Sequence, residues 1–342
     1  MTEPLVTLTD NGLCCPIGGF HIDPWRPVAR AVITHAHSDH ARAGCGQYLT
    51  AKPGERLLRL RIGADAEIAT QPYGEPVELN GVRLSFHPAG HVLGSSQIRL
   101  EHRGEIWVIT GDYKLETDPT CQPFEAVRCH TLITESTFGL PIYRWESSET
   151  LFSRVNAWWR ANQAVGKTSV VYAYSLGKAQ RVMASVDRTI GPICTHGAVE
   201  NVTRVYRESG VELPVTISVG EAVSRKEKPW LGGLVIAPPS AQDSPWARKL
   251  EPASSAVASG WMQVRGTRRR RAVDRGFVLS DHADWPGLLM AIRESGATRV
   301  LATHGFASEL ARYLREQRLD AGVIATRFGD EDETEAAEGS AT

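Results

Sequence analysis

The chain contains no run of about 18 apolar residues that would span a bilayer. Its first residues, Met-Thr-Glu-Pro-Leu, lack the basic, apolar and small-residue regions of a secretory leader. A soluble, cytoplasmic protein without membrane contact is expected. Cysteine is sparse and unpaired in pattern: Cys14, Cys15, Cys45, Cys121, Cys129 and Cys194 form no C-x-x-C motif, and the adjacent Cys14 and Cys15 cannot readily bridge each other. Neither a disulfide framework nor a thiolate zinc site is therefore expected, and the thiols read as reduced and mostly buried. An excess of one charge is also missing. Lys plus Arg is 38 against 39 Asp plus Glu, a formal net charge of -1, which excludes a uniformly basic coat. No internal repeat is present.

What is there suits a folded protein with a sizeable core. At about 150 residues per domain, 342 residues point to two domains or to one large domain carrying an insertion. Residues 28–138 read as short strands between turns, with Asn80-Gly81 and Arg103-Gly104 as hairpin signals, so a sheet built largely from consecutive hairpins is expected. Near Pro141 the pattern changes. A helix capped at Ser147 or Ser148 and closed by Gly166 precedes a buried strand at 169–174 and a helix at 177–187, and strands then alternate with helices as in a parallel, helix-covered sheet. The final part adds a strand at 277–280, a helix at 285–295, a strand at 299–303, a helix at 307–317 and a strand near 323–326.

Chemistry concentrates in Thr34-His35-Ala36-His37-Ser38-Asp39-His40, directly after an apolar β-branched stretch. Alternation places His35, His37 and Asp39 on a common side while the chain stays extended, and a loop can bring His40 round beside them. Such a dense set of nitrogen and oxygen donors is easier to satisfy with two metals than with one. Further donors, His91, Asp112 and His304, each follow an apolar strand and sit beside glycine, where backbone must come close to a shared site. Singly, each would read as a hydrogen-bonded loop residue; their repetition at strand ends favours ligands.

These segments resemble the metallo-β-lactamase fold signature. Leu132-Ile133-Thr134-Glu135-Ser136-Thr137-Phe138-Gly139, Ala173-Tyr174-Ser175-Leu176-Gly177-Lys178-Ala179-Gln180, Ser259-Gly260-Trp261-Met262, Ser280-Asp281-His282-Ala283-Asp284 and Thr303-His304-Gly305 are similar to successive motifs of its β-CASP nucleic-acid-processing branch. The likeness extends to about Phe328 and is greatest to bacterial DNA-ligase-associated exonucleases. It implies an α/β fold, a four-layer αβ/βα sandwich in two parts (1–140 and 267–328) with a β-CASP domain inserted at 141–266, followed by an acidic tail at 329–342. By motif, His35, His37 and His91 would hold one metal, Asp39, His40 and His304 another, and Asp112 would bridge both. Imidazole and carboxylate without thiolate favour Zn2+, with Mn2+ as the alternative. Asp23 would orient a ligand histidine from behind. The implied reaction is two-metal activation of water against a phosphodiester, with Asp39 and Asp112 in the catalytic centre, His282 as general acid, Glu135 orienting it, and Asp284 assisting.

DNA, as single strands or ends, is the substrate this likeness implies, and an association with DNA ligase and helicase comes with it. RNA is the rival, because His304 resembles the RNA-processing members. A small-molecule hydrolase and a metal-free scaffold are weaker readings, since the cap motifs and the filled ligand positions argue against them. Arg265, Arg268, Arg269, Arg270, Arg271 and Arg275 form a basic cluster suited to successive phosphates, or else a solvated turn. The turn near Tyr174, Ser175 and Gly177 opens a helix whose amides could bind a phosphate, with Ser175 and Lys178 as candidate contacts. The tail holds Asp330, Glu331, Asp332, Glu333, Glu335 and Glu338 without a base, so removing those six charges from the formal -1 leaves the body at +5. A modestly basic body with a local arginine cluster is compatible with a polyanionic substrate.

Overall fold

Alternation along two neighbouring strands begins the core. Val82, Leu84 and Phe86 point to one face of strand Val82–Pro88, and Ile98 and Leu100 of strand Ser96–His102 lie opposite Phe86 and Leu84. The same inward set takes in Phe20, Ile22, Val32 and Ala51 from a different sheet, so two sheets bury one apolar layer between them. The structure, a computed structural model, describes residues 4–264 and 273–325. Arg265, Arg268, Arg269, Arg270, Arg271 and the acidic tail lie outside the described residues.

The chain divides into two compact units. One comprises the described residues of 1–144 and 282–334, and the other those of 145–281, which interrupt it in sequence. In the first unit one sheet has six strands whose spatial order is their chain order: Thr7–Thr9, Gly12–Cys15, Phe20–Ile22, Arg30–Ile33, Gln47–Ala51 and Ile68–Gln71. The second sheet runs Asp320–Val323, Arg299–Thr303, Thr131–Glu135, Glu105–Ile109, Ser96–His102, Val82–Pro88, Val77–Leu79. Helix Glu55–Ile62 packs Leu58 against Ala31 and Ile33 on the outer face of the first sheet. Helices Trp285–Ser295 and Ala307–Glu316 cover the outer face of the second through Trp285, Ile292, Leu310 and Leu314. Helix, sheet, sheet and helix make the four-layer αβ/βα sandwich, the α/β fold that the motifs imply.

Both hairpins form at the expected turns. Leu79 pairs with Val82 across Asn80-Gly81, and Glu105 pairs with His102 across Arg103-Gly104, with positive φ at all four turn residues. The expectation of a sheet built mainly from hairpins fails for the first sheet. Phe20–Ile22, Arg30–Ile33, Gln47–Ala51 and Ile68–Gln71 pair in parallel, because each return runs through a loop or helix long enough to bring the chain back to the same end.

In the second unit six parallel strands run Ile217–Ser218, Ile193–Thr195, Leu234–Ala237, Thr168–Tyr172, Ala253–Ala258, Arg275–Phe277. Ser147 caps helix Ser148–Ala164 by accepting from the Thr150 amide, and that helix buries Leu151, Val155 and Trp159 against the sheet. Because Arg275–Phe277 pairs in this sheet, the chain re-enters the first unit at His282, later than the sequence boundary of 266.

Candidate metal centre

Five strands of the first unit deliver polar side chains at their carboxyl ends, the end at which open α/β sheets bind ligands. His35 follows Arg30–Ile33, His91 follows Val82–Pro88, Asp112 follows Glu105–Ile109, Glu135 ends Thr131–Glu135, and His304 follows Arg299–Thr303. A turn closed by the His40 and Ala41 amides on the His37 carbonyl swings His40 back toward His35, leaving their ring centroids 4.1 Å apart. Gly111, beside Asp112, has φ +55°, and a Cβ there would lie 2.7 Å from Cβ of Thr34. Only glycine lets the two strand ends approach this closely.

His35, His37, His91 and Asp112 each offer a donor atom within 4.8 Å of the others. Nε2 of His35 and Nε2 of His91 both lie 3.1 Å from Nδ1 of His37. One ring nitrogen cannot serve both partners in a linear hydrogen bond, whereas a cation satisfies all three lone pairs together. Oδ2 of Asp112 is 3.4 Å from Nε2 of His35, 3.3 Å from Nε2 of His40 and 3.8 Å from Nε2 of His91. It thus touches rings of both expected ligand groups. The second group is adjacent: Oδ2 of Asp39 is 3.4 Å from Nε2 of His40, and His304 stacks on His40 with centroids 5.6 Å apart. Oδ1 of Asp39 and Nε2 of His40 are buried without a well-formed hydrogen bond. A cavity of about 40 Å³ lined by Asp23, Asp39, His40, Thr110 and His304 opens beside them.

The electrostatics call for a cation. Burial pushes His35 well below the ordinary imidazole value, aided by the neighbouring His40, so its lone pairs are available. Burial also disfavours charge on His40, but Asp112, Asp39 and Asp23 outweigh it and hold that ring well above its ordinary value. Burial opposes ionisation of Asp112 too, yet His40, His282 and His35 keep it well below the usual carboxylate range. Burial, with His40, lowers His304. Without a metal, a proton on His40 is what balances the carboxylates. The donor set, the crowded lone pairs and the buried unpaired atoms all fit divalent cations.

Asp23 lies against Thr34 and the His40 ring. Its Oδ1 accepts from the Thr34 amide at 2.8 Å, and its Oδ2 accepts from the Thr34 hydroxyl at 2.6 Å and faces Nδ1 of His40 at 2.8 Å. Thr34 was part of the motif, but its function as the brace of Asp23 was not read from sequence; a hydroxyl immediately before the ligand run was the available signal. Ser136 was also missed. Its hydroxyl donates to the Thr303 carbonyl at 2.9 Å and contacts the His304 carbonyl, holding His304 in a left-handed backbone conformation at φ +57°.

Nδ1 of His282 lies 3.1 and 3.0 Å from the two oxygens of Glu135, and its ring is 4.7 Å from that of His91. Asp112, Glu135 and His282 also each offer an atom within 4.8 Å of one another. Glu135 already accepts the Tyr113 amide on Oε1 at 2.7 Å, which suits it to orienting His282. Asp284 accepts from the Gly287 amide at 2.9 Å and caps helix Trp285–Ser295, which begins just after His282.

The expected phosphate contact of Lys178 is not available to it in this structure. That side chain is 1% exposed, with its ammonium 4.1 Å over the Tyr174 ring, so a cation–π contact takes its place. Ser175 accepts on its carbonyl from Gln180, and Arg275 is exposed on strand Arg275–Phe277.

No family model matches the chain. A "Probable DNA ligase" of Opitutus terrae is 32% identical over 317 residues, which cover 92% of this chain and 30% of that protein. An "RNase J-like protein" of Methanocaldococcus jannaschii is 27% identical over 215 residues, 53% of this chain and 50% of that protein. The chain thus spans half or less of these relatives' length. A crystal structure of a protein of unknown function from Enterococcus faecalis has the same fold at 12% identity and a TM-score of 0.59, covering 88% of this chain and 80% of that one.

Proposed function

Because the chain belongs to the β-CASP branch of the metallo-β-lactamase family, we propose that it is a metal-dependent nuclease, and specifically a DNA exonuclease acting in repair. The observation that carries the reading is the buried His282–Glu135 pair set against Asp112 and the His91 ring. A hydrolase of neutral small molecules has no need of a second acid poised beside its metal ligands, whereas a phosphodiester's sugar oxygen must leave with a proton.

His35, His37 and His91 would hold one cation and Asp39, His40 and His304 another, with Asp112 shared between them. Zn2+ fits this donor chemistry, and Mn2+ is the alternative. Such cations supply positive charge against the phosphate and make water a better nucleophile near neutral pH. The chain's own residues do the rest. Glu135 accepts a hydrogen bond from Nδ1–H of His282, which fixes the ring. Nε2, turned away from that carboxylate, gives its proton to the leaving sugar oxygen as the phosphorus–oxygen bond breaks. Asp23 fixes the tautomer and plane of His40, so that Nε2 presents a lone pair to the centre.

DNA as substrate is supported by the ligase name of the relative that matches 92% of the chain. The RNase J-like relative, together with the histidine at position 304, supports RNA as the second reading. Digestion of matched single-stranded DNA and RNA carrying 5′-phosphate, 5′-hydroxyl or blocked ends tests both. End-dependent cleavage of DNA is expected. Preference for RNA moves the assignment to the second reading, and loss of neither substrate with Zn2+ or Mn2+ present refutes the nuclease.

A further inference from the structure

The peptide Tyr113-Lys114, just after Asp112, ties together three loops of the centre. The Tyr113 amide donates to Oε1 of Glu135 at 2.7 Å, and its carbonyl accepts from the Ala283 amide at 2.6 Å, one residue beyond His282. The Lys114 amide donates to the Ala89 carbonyl at 3.0 Å, two residues before His91. The Lys114 carbonyl packs so closely on Gly90 that a Cβ there would lie 2.3 Å away. One short strap therefore sets Asp112 against His91, Glu135 and His282.

The Lys114 side chain forms a buried ion pair. Its Nζ lies 2.7 Å from Oδ2 of Asp118, with the two side chains 1% and 2% exposed. Oδ1 of Asp118 accepts from the Thr120 amide at 2.8 Å and the Thr120 hydroxyl at 2.6 Å. Both carboxylate oxygens are engaged, and the loop is closed on itself. Desolvating such a pair cancels much of its attraction, so its presence is weak evidence of a contribution to stability; fixing one backbone arrangement is the better-attested use of a buried pair. At most other places on a loop an apolar pair of similar volume would serve as well.

We propose that the Lys114–Asp118 pair is a positioning clamp, which holds the strap at Tyr113-Lys114 in register and thereby keeps the metal-binding face of Asp112 and His91 aligned with the His282–Glu135 acid. The inference rests on the nuclease reading for its catalytic consequence, but its geometric part concerns only how the chain presents its ligands.

The test compares Lys114→Met, Lys114→Arg and the unmodified full chain, each loaded with Co2+ as the metal probe. Lys114→Met is expected to lower kcat about 10- to 100-fold, as for removal of a partner that orients ligands, with KM within about threefold, and to change the visible absorption of bound Co2+ at a temperature where the protein is fully folded. Lys114→Arg keeps the charge and is expected to recover most of both readouts. A folded Lys114→Met protein with unmodified kcat and Co2+ absorption overturns the clamp, as does a loss that merely follows the folded fraction. Should Lys114→Met fail to fold, Thr120→Val removes one donor to Asp118 more gently; a smaller change in the same two readouts supports the clamp, and unmodified values for both overturn it. If the unmodified protein cleaves neither DNA nor RNA, the nuclease reading falls, while the Co2+ absorption still decides the clamp.

Discussion

Asp23→Asn is the sharpest probe of the centre, because it changes charge and proton pattern while leaving shape intact. Asp23 sits at φ +43°, a conformation that asparagine tolerates nearly as well as aspartate, so the backbone adds little penalty. The amide oxygen can keep the position of Oδ1 and accept from the Thr34 amide. The amide NH2 then occupies the position of Oδ2, where it meets the Thr34 hydroxyl and Nδ1 of His40. The hydroxyl can rotate to accept. Nδ1 of His40 must also accept, which moves its proton to Nε2, the atom that faces Asp112 and Asp39. A protonated Nε2 has no lone pair for a cation. Exchanging a charged acceptor for a neutral one also gives up a hydrogen bond of about 1.5–3 kcal/mol for one of about 0.5–1.5 kcal/mol. Metal affinity is therefore expected to fall about 10- to 100-fold with the fold retained. Competition titration of Zn2+ against a chromogenic chelator measures it, with thermal unfolding of the metal-free protein as control. Affinity equal to that of the unmodified chain would refute the tautomer argument.

Other variants separate the roles further. His282→Ala should keep its metal content while turnover falls about 100- to 10,000-fold, the usual range for a general acid; near-normal cleavage removes that assignment. Asp112→Ala takes away the carboxylate that touches His35, His40 and His91, so elemental analysis should find metal lost from the whole centre. In the chelated protein, His40 has a folded-state pKa well above its ordinary 6.5, so its contribution to stability is fully present below that value and is lost as pH rises through the raised one. The unfolding temperature of chelated protein should therefore fall as pH rises above neutral, and added Zn2+ should remove the fall. A flat profile in the chelated protein contradicts the proton-for-metal exchange on His40.

What was legible in the sequence is what is local. The ligand run at 34–40 carries its meaning in consecutive residues, and the hairpins at Asn80-Gly81 and Arg103-Gly104 are fixed by turn chemistry, so both could be read without tertiary information. Strand direction could not. Arg30–Ile33 and Gln47–Ala51 have the composition of any buried strand, and only the loop that carries the histidines back across the sheet makes them parallel. The late return at His282 was equally hidden: a strand at 277–280 was expected in the final part, whereas the strand is Arg275–Phe277 and pairs with Ala256–Ala258 of the second unit.

The alignment of the ligands is also non-local, and this explains why its supports escaped the sequence reading. Lys114 and Asp118, four residues apart, look in sequence like one more solvated ion pair; 1% and 2% exposure is what separates them from Glu55 and Arg59, a pair at the same spacing on the surface of a helix. Removing a member of the exposed pair should change stability by less than about 1 kcal/mol. Removing a member of the buried pair leaves an uncompensated charge beside the strap that carries Asp112. Equal spacing thus leads to opposite consequences, and the difference lies in burial and in the Ala89, Glu135 and Ala283 contacts that the Tyr113-Lys114 backbone makes.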